Sequence, residues 1–109
     1  MDLSAPHVAC DPVDVAEVMA ALASPSRLEI VALLADAELD VTEIAHRLRA
    51  SVATTSHHLG PLRRAGLVTS RRDGTRILNR IAGPHVLDLC AAACATANRP
   101  IRSAAPTRR

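Results

Sequence analysis

The chain has 109 residues, 49% of them apolar, yet it contains no Phe, Tyr or Trp, and all thirteen of its basic residues are arginines. This length suits one domain with a core of Leu, Ile, Val and Ala, and the lack of aromatic rings argues against recognition of RNA or single-stranded DNA by base stacking. Residues 1–50 hold three arginines against nine acidic residues and residues 51–109 hold ten against two, so we expect the second half to dock on a polyanion.

Membrane and enzyme functions are not expected from this sequence. No apolar run is long enough to span a bilayer and no signal peptide opens the chain, so a cytoplasmic location with no membrane partner is predicted. We find no nucleophile elbow, no phosphate-binding Gly-rich loop and no paired carboxylates. Residues 1–10 are predicted to be a flexible N-terminal arm, residues 11–97 the folded domain, and residues 98–109 a disordered C-terminal tail.

Two helices are predicted near the start of the domain. Asp11 followed by Pro12 is a start signal, because Asp can cap a helix and Pro suits its first turn. Ser24 followed by Pro25 repeats the signal. The apolar residues of the second helix cover more than one face, which predicts a central helix; they are Leu28, Ile30, Val31, Leu33 and Leu34.

A third and a fourth helix follow in close succession. Asp40 and Glu43 have the spacing of a capping box, and the third helix is predicted to run to about Leu48. Ser51 can cap the fourth helix. Pro61 lies inside this helix and lacks the N–H that would bond to residue 57, so we expect a kink or an early end of the regular helix there.

A β-hairpin and a last helix complete the domain. Residues 68–72 and 75–81 are strand candidates, and Asp73-Gly74 between them is a strong signal for a two-residue turn. Gly83-Pro84 opens the last helix. The predicted fold class is therefore mainly α with a β-hairpin wing, a winged helix-turn-helix in the order α1-α2-α3-α4-β1-β2-α5.

The fourth helix carries a polar face suited to the major groove of a duplex, which admits one helix. Thr55 is expected to point partly inward, and for His58 a turn towards the supporting third helix stays open. A metal site of His57 with His58 is disfavoured, because adjacent helical residues do not face together. The predicted DNA-binding residues are Ser51, Thr54, Thr55, Ser56, His57, His58 and Arg63, with Arg71, Arg72 and Arg76 of the wing near the DNA backbone or minor groove.

Four blocks in this order resemble the ArsR/SmtB family of small winged-helix repressors. They are Ala-Leu-Ala-Ser-Pro-Ser-Arg-Leu at 21–28, Ser-His-His-Leu at 56–59, Leu-Arg-Arg-Ala-Gly-Leu-Val at 62–68 and Arg-Asp-Gly at 72–74. The resemblance implies a homodimer joined mainly through the first and last helices, a palindromic double-stranded operator, and repression relieved by an inducer. It also implies that Thr54, Ser56 and His57 contact bases and phosphates. Pro61 departs from the usual Lys or Val-type residue of the family.

Three cysteines are candidates for the inducer site. Cys90 and Cys94 lie four residues apart on the last helix, so both sulfurs can meet one ion. Cys10 lies on the arm and can reach the last helix of its own chain or of a partner. Three thiolates favour soft ions, namely As(III), Sb(III) or Hg(II), with Cd(II) and Pb(II) as further candidates. The alternative is that Cys90 and Cys94 are small apolar residues of an Ala-rich helix.

The metal sites typical of the resembled family are not matched. Where its metalloid repressors often carry Cys-x-Cys, at the start of the third helix, this chain has Asp40-Val41-Thr42. The zinc-type site of the last helix uses Asp and several His, and here Asp88 and His85 lack the later His pair. A conventional zinc sensor is therefore disfavoured.

The sequence predicts a DNA-binding repressor that needs no cofactor to bind its operator and is released when a thiophilic ion binds Cys10, Cys90 and Cys94. The main alternative is a redox- or sulfide-responsive repressor that forms a disulfide between Cys10 and either Cys90 or Cys94. A DNA-binding scaffold without any effector is a further alternative, and replacing each Cys by Ser distinguishes it.

Overall fold

The computed structural model describes residues 10–99, which form five helices and one two-stranded antiparallel sheet. The elements are α1 (Pro12–Leu22), α2 (Pro25–Leu34), α3 (Val41–Leu48), α4 (Val52–Arg64), β1 (Val68–Asp73), β2 (Arg76–Ile81) and α5 (Pro84–Ala97). This is the predicted winged helix-turn-helix order. The predicted arm and tail lie outside the described residues, apart from Cys10, Asn98 and Arg99. Within residues 10–99, no helix has the length and apolar character needed to cross a bilayer.

The first three helices begin where side chains satisfy free backbone N–H groups. Asp11 Oδ1 accepts a hydrogen bond of 2.8 Å from the N–H two residues on, and Ser24 Oγ accepts one of 3.4 Å from the N–H three residues on. Asp40 and Glu43 make both reciprocal bonds of a capping box, at 2.9 and 2.8 Å. The three start signals predicted from the sequence are confirmed.

Helix α4 continues through Pro61 and ends only at Arg64, so the expected early end of the regular helix is wrong. Pro61 removes one donor, but its carbonyl still accepts from the Ala65 N–H at 3.0 Å. Leu59 and Leu62, on either side of the proline, are fully buried. Their packing holds the helix in place at the cost of one hydrogen bond, and the predicted stop at Gly66 follows with a left-handed φ of 76°.

The hairpin turn consists of Gly74 and Thr75, one residue later than the predicted Asp73-Gly74 pair. Asp73 instead ends β1 and pairs with Arg76, the first residue of β2. Gly74 has a φ of 65°, a left-handed conformation that costs a glycine little and other residues more. The hairpin was therefore predicted correctly, whereas the boundaries of its turn were shifted.

The core lies between α2, α3 and α4 and is closed by the hairpin. Ile30, Ile44 and Leu59 are fully buried, one from each of the three helices. Strand β2 also pairs with the segment before α3, because Leu39 and Asn79 exchange backbone hydrogen bonds of 3.1 and 2.9 Å. This bridge fixes the wing relative to the start of α3.

Candidate nucleic-acid interface

Helix α4 has one buried and one exposed face. Thr55, Leu59 and Leu62 are fully buried at a helical spacing of four and three residues. Among the residues between them, Ser56 and His57 are exposed. The Thr55 hydroxyl donates to the Ser51 carbonyl at 2.9 Å, and its burial leaves it no surface for a duplex. Thr55 is therefore corrected from a DNA contact to a residue that seats α4.

The N-terminus of α4 is exposed and favours negative charge. Ser51 Oγ accepts from the Thr54 N–H at 3.0 Å and donates to Thr54 Oγ1 at 2.9 Å. No acidic residue lies in the first turn of α4 to offset its positive dipole end. The backbone and the two hydroxyls at this end can meet a phosphate or a base edge.

Three further residues near this end were not found from the sequence. Val52 is 46% exposed at the first position of α4, where an apolar side chain can contact a thymine methyl group. Arg47 and Arg49 are exposed at the end of α3 and in the turn before α4, and Arg49 has a left-handed φ of 57°. Their position in the acidic half of the chain obscured them, although Arg49 lies only two residues before Ser51, the N-cap of α4.

His58 turns away from the exposed face of α4. It is half-buried, and its Nδ1 accepts from Arg27 Nε of α2 at 3.3 Å. A neutral ring that accepts at Nδ1 carries its proton on Nε2. The sequence left open a turn of His58 towards the supporting helix α3, whereas the structure turns it towards α2 instead.

Arg63 takes part in a polar network between α4 and the hairpin. Its Nε donates to Ser70 Oγ at 2.8 Å and its Nη2 donates to Asn79 Oδ1 at 2.7 Å. Asn79 is 1% exposed and also donates to the Leu39 carbonyl at 3.1 Å. Arg63, predicted as a DNA contact, thus holds the hairpin against α4, and Asn79 is a connecting residue that the sequence did not reveal.

Two wing arginines have carboxylate partners. Arg71 Nη2 lies 2.7 Å from Glu38 Oε1, and Arg76 lies 3.1 Å from Asp40 Oδ2 and 2.7 Å from Glu43 Oε1. The Arg71 hydrogen bond holds the pKa of Glu38 below its ordinary value. The pKa of Asp40 is also lowered, mainly by the hydrogen bond from the Glu43 N–H and further by the hydrogen bond and charge of Arg76.

Comparison with known proteins identifies the family. A sequence profile described as "Bacterial regulatory protein, arsR family" matches residues 24–70. The homodimeric winged helix-turn-helix DNA-binding domain Mb0332 of Mycobacterium bovis superposes with a TM-score of 0.76 at 37% identity, covering 94% of this chain and 91% of that one. The chain belongs to the ArsR family.

Two curated relatives of this ArsR-family chain are transcriptional regulators. KmtR of Mycobacterium tuberculosis is 41% identical over 75 residues, which make up 69% of this chain and 58% of KmtR. The cadmium resistance regulator CadC of Listeria innocua is 45% identical over 69 residues, 62% of this chain and 58% of CadC. The match thus spans a little over half the length of these two transcriptional regulators.

Within residues 10–99 of this ArsR-family protein, the three cysteines are not grouped as a metal site. Cys10 and Cys94 are exposed, while Cys90 is half-buried at the edge of the core. Burial raises the pKa of the Cys90 thiol. Among residues 10–99, no three His, Cys, Asp or Glu side chains are grouped so that they could hold a metal ion. Any site that joins all three cysteines needs a rearrangement or a second subunit.

Proposed function

We propose that this chain is a transcriptional repressor that binds double-stranded, palindromic DNA as a homodimer. The observation that carries the proposal is the two-faced helix α4. Its buried face, with Leu59 and Leu62, fixes the helix on the core, and its exposed face presents Thr54, Ser56 and His57. These short polar side chains leave room for α4 to enter a major groove and reach base edges.

The homodimer rests on the apolar surface of the outer helices. On α1, Val13 is 65% and Met19 51% exposed, and on α5 every residue from Ala91 to Ala97 is exposed. Such a surface is suited to a second copy, and the similar Mycobacterium bovis domain is homodimeric. A two-fold dimer places its two α4 helices about 34–36 Å apart, in successive major grooves of a palindrome.

The test is binding of the full chain to a palindromic duplex from upstream of its own gene and to a shuffled duplex. Fluorescence anisotropy at fixed salt should show a preference of at least about 10³-fold for the palindrome. His57→Ala should lower this preference, whereas His46→Ala, an exposed histidine of α3, should leave it unchanged. Equal binding of both duplexes by the wild type would overturn the proposal.

The inducer we propose is a thiophilic ion bound by Cys90 and Cys94 of α5 together with Cys10. As(III), Sb(III) and Hg(II) are the first candidates, then Cd(II) and Pb(II). Support comes from the spacing of Cys90 and Cys94 and from the likeness to CadC, which is described as a cadmium resistance regulator. Because α5 also carries the proposed dimer surface, an ion bound there can alter the relative placement of the two α4 helices.

Titration of each ion into the protein–operator complex, with a thiol-free reductant present, tests the inducer. A switch from nearly full to nearly no occupancy requires about 5.5 kcal/mol of differential affinity. We expect DNA release by at least one ion and its loss in Cys94→Ser, with Thr96→Ser of the same helix as the control. Unchanged DNA affinity with every ion would eliminate ion sensing.

The oxidative alternative has a distinct signature. Peroxide would accept two electrons from two thiols, giving a disulfide between Cys10 and Cys94, both exposed, and two water molecules. Burial raises the pKa of the Cys90 thiol, which disfavours its reactive thiolate form. Intact-mass measurement after peroxide, with and without reductant, distinguishes a reversible disulfide coupled to DNA release from ion capture.

A further inference from the structure

The four arginines of the hairpin differ in their surroundings. Arg71 makes a two-pronged contact with Glu38: its Nε lies 3.2 and 3.0 Å from the two carboxylate oxygens, and its Nη2 lies 2.7 Å from Oε1. The charge of Glu38 also acts on nearby Arg80. No salt bridge holds Arg72 among the residues that the structure describes.

Arg76 is held by the capping box of α3. Its Nε donates to Asp40 Oδ2 at 3.1 Å and its Nη2 donates to Glu43 Oε1 at 2.7 Å. The same two acidic residues accept each other's backbone N–H groups, so the capping box holds their side chains in place beside the arginine. The acidic residues at the start of α3 thus anchor strand β2 of the wing through Arg76.

The strand register places the two salt-bridged arginines, Arg71 and Arg76, on one face of the hairpin and Arg72 on the other. Arg71 pairs with Leu78, and Arg72 pairs with Ile77. Directly paired residues share a face of the hairpin, and successive residues alternate between faces. Arg71 and Arg76 therefore lie on the face of Leu78, whereas Arg72 lies on the opposite face, which is buried at Val68 and Asn79 and 42% exposed at Ile77, beside Arg72.

We propose that Glu38, Asp40 and Glu43 are positioning residues that set how many phosphates the wing can contact. Asp40 and Glu43 hold Arg76 at the start of α3. Glu38, in the segment before α3, holds Arg71 and also attracts Arg80, so that Arg72 is left as the phosphate-contacting arginine of the hairpin. The inference rests on the proposed DNA-binding function. It adds that these acidic residues limit the affinity for phosphates that any duplex offers, whatever its sequence. Fewer available wing arginines mean weaker attraction to any duplex, so that a larger share of binding depends on α4.

These ion pairs are weak enough for a DNA phosphate to compete with them. The side chains of Arg71 and Glu38 are 50% and 30% exposed, so water and salt weaken their attraction. A phosphate can compete for the guanidinium, but it must approach a carboxylate of its own sign. Removing that carboxylate charge should therefore strengthen binding to all duplexes rather than to one sequence.

Glu38→Gln tests the proposal, because it keeps the size of the side chain and removes its charge. Affinity for the palindromic and the shuffled duplex should rise alike, by roughly two- to fivefold at low salt. The slope of log affinity against log salt should steepen by about 0.9 for each added phosphate contact. Glu29→Gln, an exposed residue of α2, removes the same charge elsewhere and should leave the slope unchanged.

A double-mutant cycle shows whether Arg71 carries the gain. Adding Glu38→Gln to Arg71→Ala should change neither affinity nor slope, since the freed guanidinium is gone. Arg71→Ala alone should leave the slope at its wild-type value, whereas Arg72→Ala should flatten it by about 0.9. Glu38→Asp, which keeps the charge, should behave like the wild type. Thermal unfolding of each variant confirms that it is folded.

The outcomes separate the inference from the function on which it rests. A wild-type chain that binds neither duplex would overturn both. Normal wild-type binding with an unchanged slope in Glu38→Gln, or with the same gain in the Arg71→Ala background, would overturn the inference alone. A flattened slope in Arg71→Ala would also overturn it, because Arg71 would then be a phosphate contact itself.

Discussion

The unit formed by α2, α3, α4 and the hairpin buries its apolar side chains and pairs its polar ones within one chain. The outer helices α1 and α5 do so much less. In the first region, Ile44 and Leu62 are fully buried, and Arg63 and Asn79 join helix to wing. In the second, α5 contributes a single buried residue, Val86. Within residues 10–99, no side-chain hydrogen bond links α1 or α5 to another element. The part that we propose to contact DNA is thus packed and hydrogen-bonded within one chain, whereas the outer helices expose the surface that we propose for the dimer.

The largest expected effect lies in the complete region. Leu59→Ala should lower the free energy of unfolding by about 2–5 kcal/mol, because it opens a cavity beneath α4 where the side chain is fully buried. Val52→Ala, on the exposed side of the same helix, should cost less than about 0.5 kcal/mol. Urea unfolding at one protein concentration measures both. Equal effects would remove the distinction between the faces of α4.

Next in size is the polar connection between helix and wing. Asn79→Ala should cost about 1–3 kcal/mol, because it removes the partner of Arg63 and Ser70 at a buried position. Asn98→Ala, beyond the end of α5, is the matched control. If urea unfolding shows the same stability for both variants, the network does not hold the wing.

The outer helices should respond to charge through assembly rather than folding. Ala93 continues the face of α5 that carries Val86, Leu89 and Cys90. A charge placed there by Ala93→Glu should raise the dimer dissociation constant at least tenfold, which corresponds to about 1.4 kcal/mol. Ala95→Glu places the same charge on the face of Asp88 and should have less effect. Sedimentation equilibrium measures both. A dimer equally stable in both variants would contradict the assignment of this face.

The smallest effect expected is the response of the wing to acid. The carboxyl groups of Glu38 and Asp40 have pKa values lowered below their ordinary 4.5 and 3.8. Their ion pairs therefore stabilise the fold above these values and lose this contribution as the pH falls through the lowered pKa values. The protection of the hairpin amides, measured as their exchange rate relative to the intrinsic rate at each pH, should stay constant from pH 7 to about 5 and fall only in stronger acid. A loss of protection already near pH 6 would exclude these carboxylates as its cause.

The sequence predicted what depends on neighbouring residues. The caps at Asp11, Ser24 and Asp40 follow from side chains that reach a backbone N–H two or three residues away. The helix-turn-helix and the hairpin follow from such signals in order. The early end expected at Pro61 did not occur, because residues on both sides of the proline are packed in the core and α4 continues to Arg64.

Contacts between distant residues could not be predicted. Glu38 and Arg71 are 33 positions apart, and Arg63 and Asn79 are 16 apart, so their pairing exists only once the hairpin has docked. Counting charges therefore gave Arg71 and Arg76 as DNA ligands without revealing their carboxylates. The cysteines pose the same difficulty, because one chain does not bring all three together.

The most direct test is to map amide chemical shifts of the labelled dimer as a palindromic duplex is added. We expect the largest changes at residues 51–57 of the α4 N-terminus and at residues 72–75 of the hairpin, with small changes along α5. Largest changes on α1 and α5, with the exposed face of α4 unaffected, would contradict the assignment of α4 to DNA and of the outer helices to the partner subunit.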